Sequence, residues 1–329
     1  MATTTTATEL ERLGDSCNER STRRMLVIVN PFATTMSDRL KHLVVYALQG
    51  RYEVEALDTQ RPGHATELCR EAAGEGYDVV VAFGGDGTVN EAANGLAGSR
   101  TPLTVLPGGA TNVYARMLGI PNDVVDATEH LLALADDFQP RTVDLARVND
   151  RAFVFAGGVG LDASVVERVD RHPVLKARLG AWYFAAAATS TFLRSYVRHP
   201  PRLTVAVDGG AAEPLAGVSA FVQNADPYTY FRRRAVRLQG GAGLHTGTLS
   251  GAILDRASAL DMPTVLRRIL SGRPTVARHR RVTGFDGARE IVIRSADERP
   301  LPIQVDGDYL GEHAEAVFGV EPGGLRVVA

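Results

Sequence analysis

The sequence predicts an α/β protein of two domains, an N-terminal doubly wound parallel α/β domain and a C-terminal antiparallel, β-rich, sandwich-like domain. Three observations lead there. Apolar runs and helix-period segments alternate from Arg24 to about Ala135, which implies a parallel sheet with helices on its faces. After about Asp144 the texture turns to short strands separated by Gly, Asp and Asn, as in an antiparallel domain. The chain has 329 residues and is 45% hydrophobic, enough for two modest cores rather than one.

MLVIVN (25–30) is a continuous apolar run closed by Asn30-Pro31, as expected of a strand buried on both faces. SDRLKHLVVYALQG (37–50) has helical spacing, with Ser37 as N-cap and Gly50 as stop. YEVEALD (52–58) reads as a strand, HATELCREAAGEG (64–76) as a helix and YDVVVAF (77–83) as a strand. TVNEAANGLAG (88–98) follows as a helix, PLTVLP (102–107) as a strand and ATNVYARMLGI (110–120) as a helix, and Pro121 opens another helix to about Ala135. Beyond Asp144 the strand candidates are RVNDRAFVFAGGVG, RLTVAVDGG, LAGVSAFVQN, REIVIRSA and LPIQVDGDYLG, with one helix over 176–197. This gives a disordered polar tail at 1–22, a first domain at 23–144 and a β-rich domain at 145–312. Residues 313–329 are C-terminal strands that complete the second domain or return to the first.

A formal charge of −2 gives no overall pull toward nucleic acid. Cys17 and Cys69 are the only cysteines, which excludes a disulfide framework and a cysteine-based zinc site and suits the cytoplasm. No apolar stretch reaches the roughly 18 residues of a membrane span, and the N-terminal segment lacks the apolar core of a signal peptide. Lys41 and Lys176 are the only lysines, so fixed positive charge is almost all arginine.

The stretch VVVAFGGDGTVNE (79–91) carries most of the chemistry. Glycines at a strand-to-helix turn let main-chain N–H groups approach phosphate oxygens, and the helix expected from about Thr88 adds its positive end. Asp86 has the wrong sign to meet phosphate directly. It makes sense where Mg²⁺ stands between them, because magnesium prefers carboxylate, water and phosphate oxygen. Neither a Walker-type loop nor a G-x-G-x-x-G after the first strand occurs. Asn30, Thr59, 84–88 and 107–112 all follow strands, and in such sheets ligands gather at the carboxyl ends, so one crevice is expected.

In order along the chain stand VNP (29–31), DTQRPGHATELCRE (58–71), GGDGTVNE (84–91), PGGATNVYAR (107–116), GVGLDA (158–163) and VDGD (305–308). This set resembles the diacylglycerol kinase catalytic family, which includes bacterial diacylglycerol kinases and the sphingosine and ceramide kinases. The resemblance spans Arg24 to the C terminus. It implies a first domain that binds ATP and a second that supplies the lipid side, with the active site in the cleft between them. Asn30, Pro31, Thr59, Gly84, Gly85, Asp86, Gly87, Thr88, Glu91, Gly108, Gly109, Thr111 and Asn112 would contact nucleotide, and Asp86 would hold Mg²⁺. Gly158, Gly160 and Asp162 would lie on the substrate side. The VDGD acids would take the proton of the lipid hydroxyl, with Asp308 in the usual acceptor position. The chain departs from the family at NPFAT, which lacks a glycine, at Ala110 and Val113 in the second loop, and at Asp308 where glutamate is usual. HTGTLSG (245–251) replaces the Asp-Gly that bears an additional structural metal in some relatives, so none is expected there.

Phosphoryl transfer needs positioning, charge neutralisation and a base. With lysine nearly absent, neutralisation falls to Mg²⁺, loop amides and arginines such as Arg116. Asp306 and Asp308 lie two apart, so on a strand both project from one face, with Gly307 leaving room for substrate. Either is then a candidate base, and a turn between strands is the alternative. GAWYFAAAATSTFL (180–193) reads as a core helix or an acyl-pocket wall, and FRRRAVR (231–237) and RRILSGRPTVARHRR (267–281) as solvated basic faces or contacts to anionic headgroups.

The expected activity is transfer of the ATP γ-phosphate to the hydroxyl of diacylglycerol or a similar lipid, giving phosphatidic acid, by a cytoplasmic protein peripheral at the inner face of the membrane. A homodimer is left open. The alternatives are a sphingosine, ceramide or phosphatidylglycerol kinase, an NAD kinase, and a lipid-binding regulatory protein impaired in catalysis.

Overall fold

The computed structural model describes residues 23–172, 175, 181–209, 214–231, 234–269, 271 and 276–329. The expectations for the tail 1–22 and for Lys176, and parts of those for 176–197, 231–237 and 267–281, lie outside these residues. The chain forms two compact units, one of residues through Val143 together with Gly323–Ala329, the other of Asp144–Pro322.

In the first unit, β1 (Arg24–Val29), β2 (Glu53–Asp58), β3 (Val79–Gly84) and β4 (Leu103–Pro107) form a parallel sheet in the order β2-β1-β3-β4. Every residue of β3 and β4 is buried, which is why these strands read as unbroken apolar runs. The connections are α1 (Asp38–Gln49), α2 (His64–Glu75), α3 (Asp86–Leu96), α4 (Val113–Leu118) and α5 (Val124–Ala133). Ser37 caps α1 by accepting from Leu40 N–H at 3.2 Å, and Gly76 ends α2 at φ +74°. Among the boundaries that differ from the sequence reading, α4 opens at Val113 rather than at Ala110. Helix α3 begins at Asp86 rather than near Thr88, so the aspartate occupies its first turn. Helix α5 begins after Asp123, whose side chain accepts from Val125 N–H, and not at Pro121. Because β1 lies between β2 and β3, the winding reverses there, and an open α/β sheet presents its crevice at that point, beyond the carboxyl ends of the strands.

The second unit is a sandwich of antiparallel pairings. Its strands are β5 (Arg141–Val148), β6 (Arg151–Phe153), β7 (Ala156–Val159), β8 (Leu203–Val207), β9 (Leu215–Gly217) and β10 (Ser219–Gln223), then β11 (Thr229–Phe231), β12 (Arg234–Val236), β13 (Leu249–Leu254) and β14 (Val282–Ala288), and finally β15 (Glu290–Ser295), β16 (Leu301–Val305), β17 (Asp308–His313) and β18 (Glu315–Val327). One layer runs β18-β15-β8-β9, with β5 beside β18 and β6; the other runs β14-β13-β10-β7-β16-β17. Phe153, Val159, Val205, Val222, Ile291, Ile303 and Phe318 from both layers share one core, and Phe318 meets Phe153 edge to face at 6.0 Å. Strand β18 pairs with β15 early on and ends in the first unit, where Val327 lies parallel to Leu103. Among the described residues, α6 (Leu161–Asp170), α7 (Ala181–Thr191), which continues into a π-helical turn at Phe192–Tyr196, and α8 (Met262–Ile269) join the strands.

The sequence reading missed α6, α8 and β11 to β14. GVGLDA was read only as a substrate-side motif, its glycines masking the helix that starts at Leu161. The larger correction concerns Asp306 and Asp308, which do not share one face of a strand. Asp306 and Gly307 have φ +50° and +88°, and Val305 pairs with Asp308. They form the two-residue loop of a hairpin, where Asp-Gly is favoured because both positions need positive φ.

Phe318→Ala should cost the second unit about 3–5 kcal/mol, the usual range for emptying a fully buried phenylalanine site. Guanidinium unfolding followed by near-ultraviolet dichroism measures it, and a cost below 1 kcal/mol would contradict this core.

Candidate active site

Gly84 and Gly85 leave β3, Gly108 and Gly109 leave β4, and the two pairs lie in backbone contact. Gly108 N–H donates to Gly84 C=O at 2.8 Å. A Cβ on Gly109 would stand 2.8 Å from Gly85 Cα, and one on Gly84 2.5 Å from Thr88 Oγ1. Neither fits, so Gly109 serves the approach of one loop to the other and Gly84 the packing of Thr88 against its own loop. The segment after β1 closes around them. Asn30 Nδ2 donates to Thr88 Oγ1 at 3.1 Å, and Thr35 donates from both N–H and Oγ1 to Gly108 C=O at 3.1 and 3.0 Å. Asn112, at φ +48°, folds the second loop onto itself: its Oδ1 accepts from Gly109 N–H at 2.9 Å and its Nδ2 donates to Gly109 C=O at 2.8 Å.

The Asp86 carboxylate is aimed by the other loop's helix. Its Oδ1 accepts from Tyr114 N–H, in the first turn of α4, at 3.2 Å, so the starts of α3 and α4 both face this carboxylate, and no side-chain hydrogen bond caps either helix at Gly85 or Asn112. Helix N-termini attract anions. A divalent cation and phosphate oxygens therefore suit the same place, since Mg²⁺ is commonly held by one or two carboxylates together with substrate phosphates and water. Among the described residues no group of three or more His, Cys, Asp or Glu side chains forms a metal cage.

Asn30, Gly84, Gly85, Asp86, Thr88, Gly108, Gly109 and Asn112 thus come together. Gly87 lies in the same turn of α3, Thr111 is half-buried in the second loop and Pro31 is exposed beside Asn30. Thr59 follows β2, one strand further from the loops, with its N–H on Val29 C=O. Glu91 is occupied otherwise. Its Oε1 accepts from Gly63 N–H at 2.8 Å and its Oε2 from Ala65 N–H at 3.1 Å, so it caps α2 from across the fold.

In the second unit the VDGD turn is tied down by its first acid. Asp306, 5% exposed, accepts from Val154 N–H at 2.8 Å and from Phe155 and Ala156 N–H at 3.0 Å each. This role was missed because nothing in the linear pattern pairs residue 306 with 154–156. Asp308, half-buried, opens β17 on the other side of the turn. The substrate-side motif joins the same turn through Gln304. Gln304 donates from Nε2 to Asp162 Oδ2 at 2.5 Å and to Tyr228 Oη at 3.0 Å, and its Oε1 accepts from Gly307 N–H at 3.0 Å. Tyr228 also donates to Asp162. Burial raises the Asp162 carboxyl above its ordinary range and the Tyr228 phenol well above its own. Gly158 passes so close that a Cβ would meet Asp162 Oδ2 at 2.5 Å, and Gly160 takes φ +90° before α6. Gln304 was detectable only as a polar residue inside the apolar run LPIQV.

A parallel unit with two touching glycine loops is followed by an antiparallel sandwich bearing an acidic hairpin, and each part matches a known family. The description "Diacylglycerol kinase catalytic domain" matches residues 24–148, and "YegS C-terminal NAD kinase beta sandwich-like domain" matches residues 156–329. The chain belongs to the diacylglycerol kinase catalytic-domain family. Diacylglycerol kinases of Staphylococcus aureus strains RF122 / ET3-1 and MRSA252 are each 27% identical to it over 301 residues, covering 88% of this chain and 87% of theirs. Solved chains from Bacillus anthracis str. Sterne share the fold. One has TM-score 0.71 and 24% identity, with 93% of this chain and 97% of that one covered. Another, called a diacylglycerol kinase, has TM-score 0.67 and 21% identity, with 93% and 96% covered. Membership implies lipid kinase activity with nucleotide and lipid as substrates, and no described helix is long and apolar enough to cross a membrane.

Asp306→Asn places an amide donor among three main-chain donors. It should lower stability by about 1–3 kcal/mol, the cost of leaving a buried N–H unsatisfied, as read from the denaturation midpoint; an unchanged midpoint would refute the anchoring role.

Proposed function

We propose that this chain is an ATP- and Mg²⁺-dependent lipid kinase that transfers the γ-phosphate to the hydroxyl of diacylglycerol or a closely similar lipid, yielding phosphatidic acid and ADP, at the inner face of the membrane. The first unit holds the nucleotide and the second presents the lipid. The observation that carries this reading is the Asp86 carboxylate held on the Tyr114 amide beside two glycine loops in contact. A lone carboxylate at a polyphosphate cradle calls for a bridging cation.

The residues divide the work as follows. The amides at the start of α3, with Asn30 and Thr88, bind and orient the polyphosphate in a cradle shaped by Gly84, Gly85, Gly108 and Gly109. Asp86 is the protein ligand for Mg²⁺, which when bound neutralises charge on the phosphates. Asp308 accepts the proton of the lipid hydroxyl as its oxygen forms a bond to the γ-phosphorus and the bond to the β–γ bridging oxygen breaks. Asp306, both of whose oxygens accept main-chain hydrogen bonds, positions the turn rather than taking the proton. Asp162, Tyr228 and Gln304 brace that turn from the substrate side.

The test is transfer of radiolabelled phosphate from ATP to a panel of diacylglycerol, sphingosine, ceramide and phosphatidylglycerol, with NAD as a non-lipid acceptor. Diacylglycerol should be the best acceptor, and Asp86→Asn and Asp308→Asn should each lower kcat by about 10²–10⁴-fold, the range for losing a general base or a charge-stabilising group. Labelling of NAD alone, or full activity in both variants, would overturn the reading.

A further inference from the structure

The second unit carries exposed apolar side chains on neighbouring elements. In the π-helical turn after α7, Phe192 and Tyr196 are buried while Leu193 and Val197 remain 48% and 38% exposed. Just before α8 Leu260 is 90% exposed, and within α8 Leu266 is 49% exposed. These two elements meet underneath, because Met262 packs on the cluster that contains Phe192, Tyr196, Leu254 and Ala257. One small hydrophobic core therefore supports two sets of outward apolar side chains. Singly, such residues need no explanation; grouped on adjoining elements they mark an interaction surface.

The charge around them selects the partner. Residues 192–199 contain no acid, and residues 255–269 contain two, Asp255 and Asp261. Both acids are engaged: Asp261 pairs with Arg280 and with Arg281 at 3.1 Å, and Arg281 reaches Asp255 at 3.9 Å. Among the described residues none of Arg194, Arg198, Arg256 and Arg267 forms an ion pair, and all four are exposed. Apolar side chains interleaved with uncompensated arginines fit an anionic bilayer, whose headgroups attract the cations while the leucines enter the acyl boundary. A protein partner of acidic character would meet the charges but offers no reason for a leucine as widely exposed as Leu260.

We propose that the π-helical turn at Phe192–Tyr196 with Val197, together with Leu260 just before α8 and Leu266 within it, is a docking surface for membranes containing anionic phospholipid. The proposal rests on the lipid-kinase reading only for its purpose, since it would deliver the second unit to a substrate that resides in the bilayer. Docking and turnover are therefore measured apart. The full chain, without ATP, is sedimented with phosphatidylcholine vesicles with and without phosphatidylglycerol. Wild type should partition onto the anionic vesicles and release as salt is raised. The paired change Leu260→Ser and Leu266→Ser should weaken partitioning by about 10-fold or more, and Arg194→Gln with Arg267→Gln by roughly 10-fold on anionic vesicles alone. All four positions are exposed, so unchanged thermal unfolding should accompany both effects, and phosphorylation of a short-chain diacylglycerol free in solution should persist. Equal binding of wild type to both vesicle types, or variants that bind as wild type does, would overturn the surface while leaving the kinase reading intact. Vesicle binding that follows this pattern in a chain that labels no lipid would support the surface and sink the kinase reading instead.

Discussion

Backbone contact between the loops that follow β3 and β4 governs the first unit. With Gly109 against Gly85 and the Gly108 amide on the Gly84 carbonyl, the helices that begin just beyond each loop, α3 and α4, must start side by side. From that follow the hydrogen bond between Asp86 and the Tyr114 amide and the reach of Asn30 to Thr88. Without a side chain in the interface, the loops pack closely enough for Gly108 N–H to reach Gly84 C=O, and two helix termini reinforce each other for an anionic ligand. The carboxylate in their midst is held by the Tyr114 amide and two helix termini, and the proposed function adds a cation between it and the phosphates.

A comparable economy governs the second unit. Asp306 spends its carboxylate on the amides of residues 154–156, joining the hairpin to the strand entry next to it. Gln304 reaches from the same hairpin to Asp162 and Tyr228. The turn is braced on both sides, so the backbone at Asp308 has little freedom. Under the proposed role of Asp308 as base that matters, because a displacement of about 1 Å can cost on the order of 10²-fold in rate. A rigid turn is the means by which a short side chain can still begin from a fixed place.

Legibility in the sequence followed the range of the interactions. The alternation of β1 to β4 with their helices was readable because double-sided burial leaves continuous apolar runs, and Ser37 and Gly76 announce helix ends by local chemistry. The glycine loops and Asp86 were readable because strand, turn and helix are adjacent. Glu91 was not, since its partners Gly63 and Ala65 lie on another helix, and neither was Asp306, whose partners are about 150 residues away. Helix α6 escaped because its start follows glycines that resemble a turn, and α8 because its leucines and arginines face outward, leaving Val265 as its buried side chain. What stayed hidden was non-local hydrogen bonding and surfaces whose pattern inverts the usual rule of burial.

The departures at Ala110 and Val113 also look different once the loop is seen. Ala110 is exposed at the tip, while Val113 is 2% exposed at the start of α4. The shape of the second loop depends on neither; Asn112 sets it through both atoms of its amide, with Asn122 receiving a further hydrogen bond at 3.0 Å. A carboxylate in place of Val113 would need partners in a buried position, and the chain avoids that cost by packing an apolar side chain there. Loss of polar groups at 110 and 113 therefore alters what the loop can offer a ligand without altering where the loop sits, and the geometry that orients Asp86 survives it.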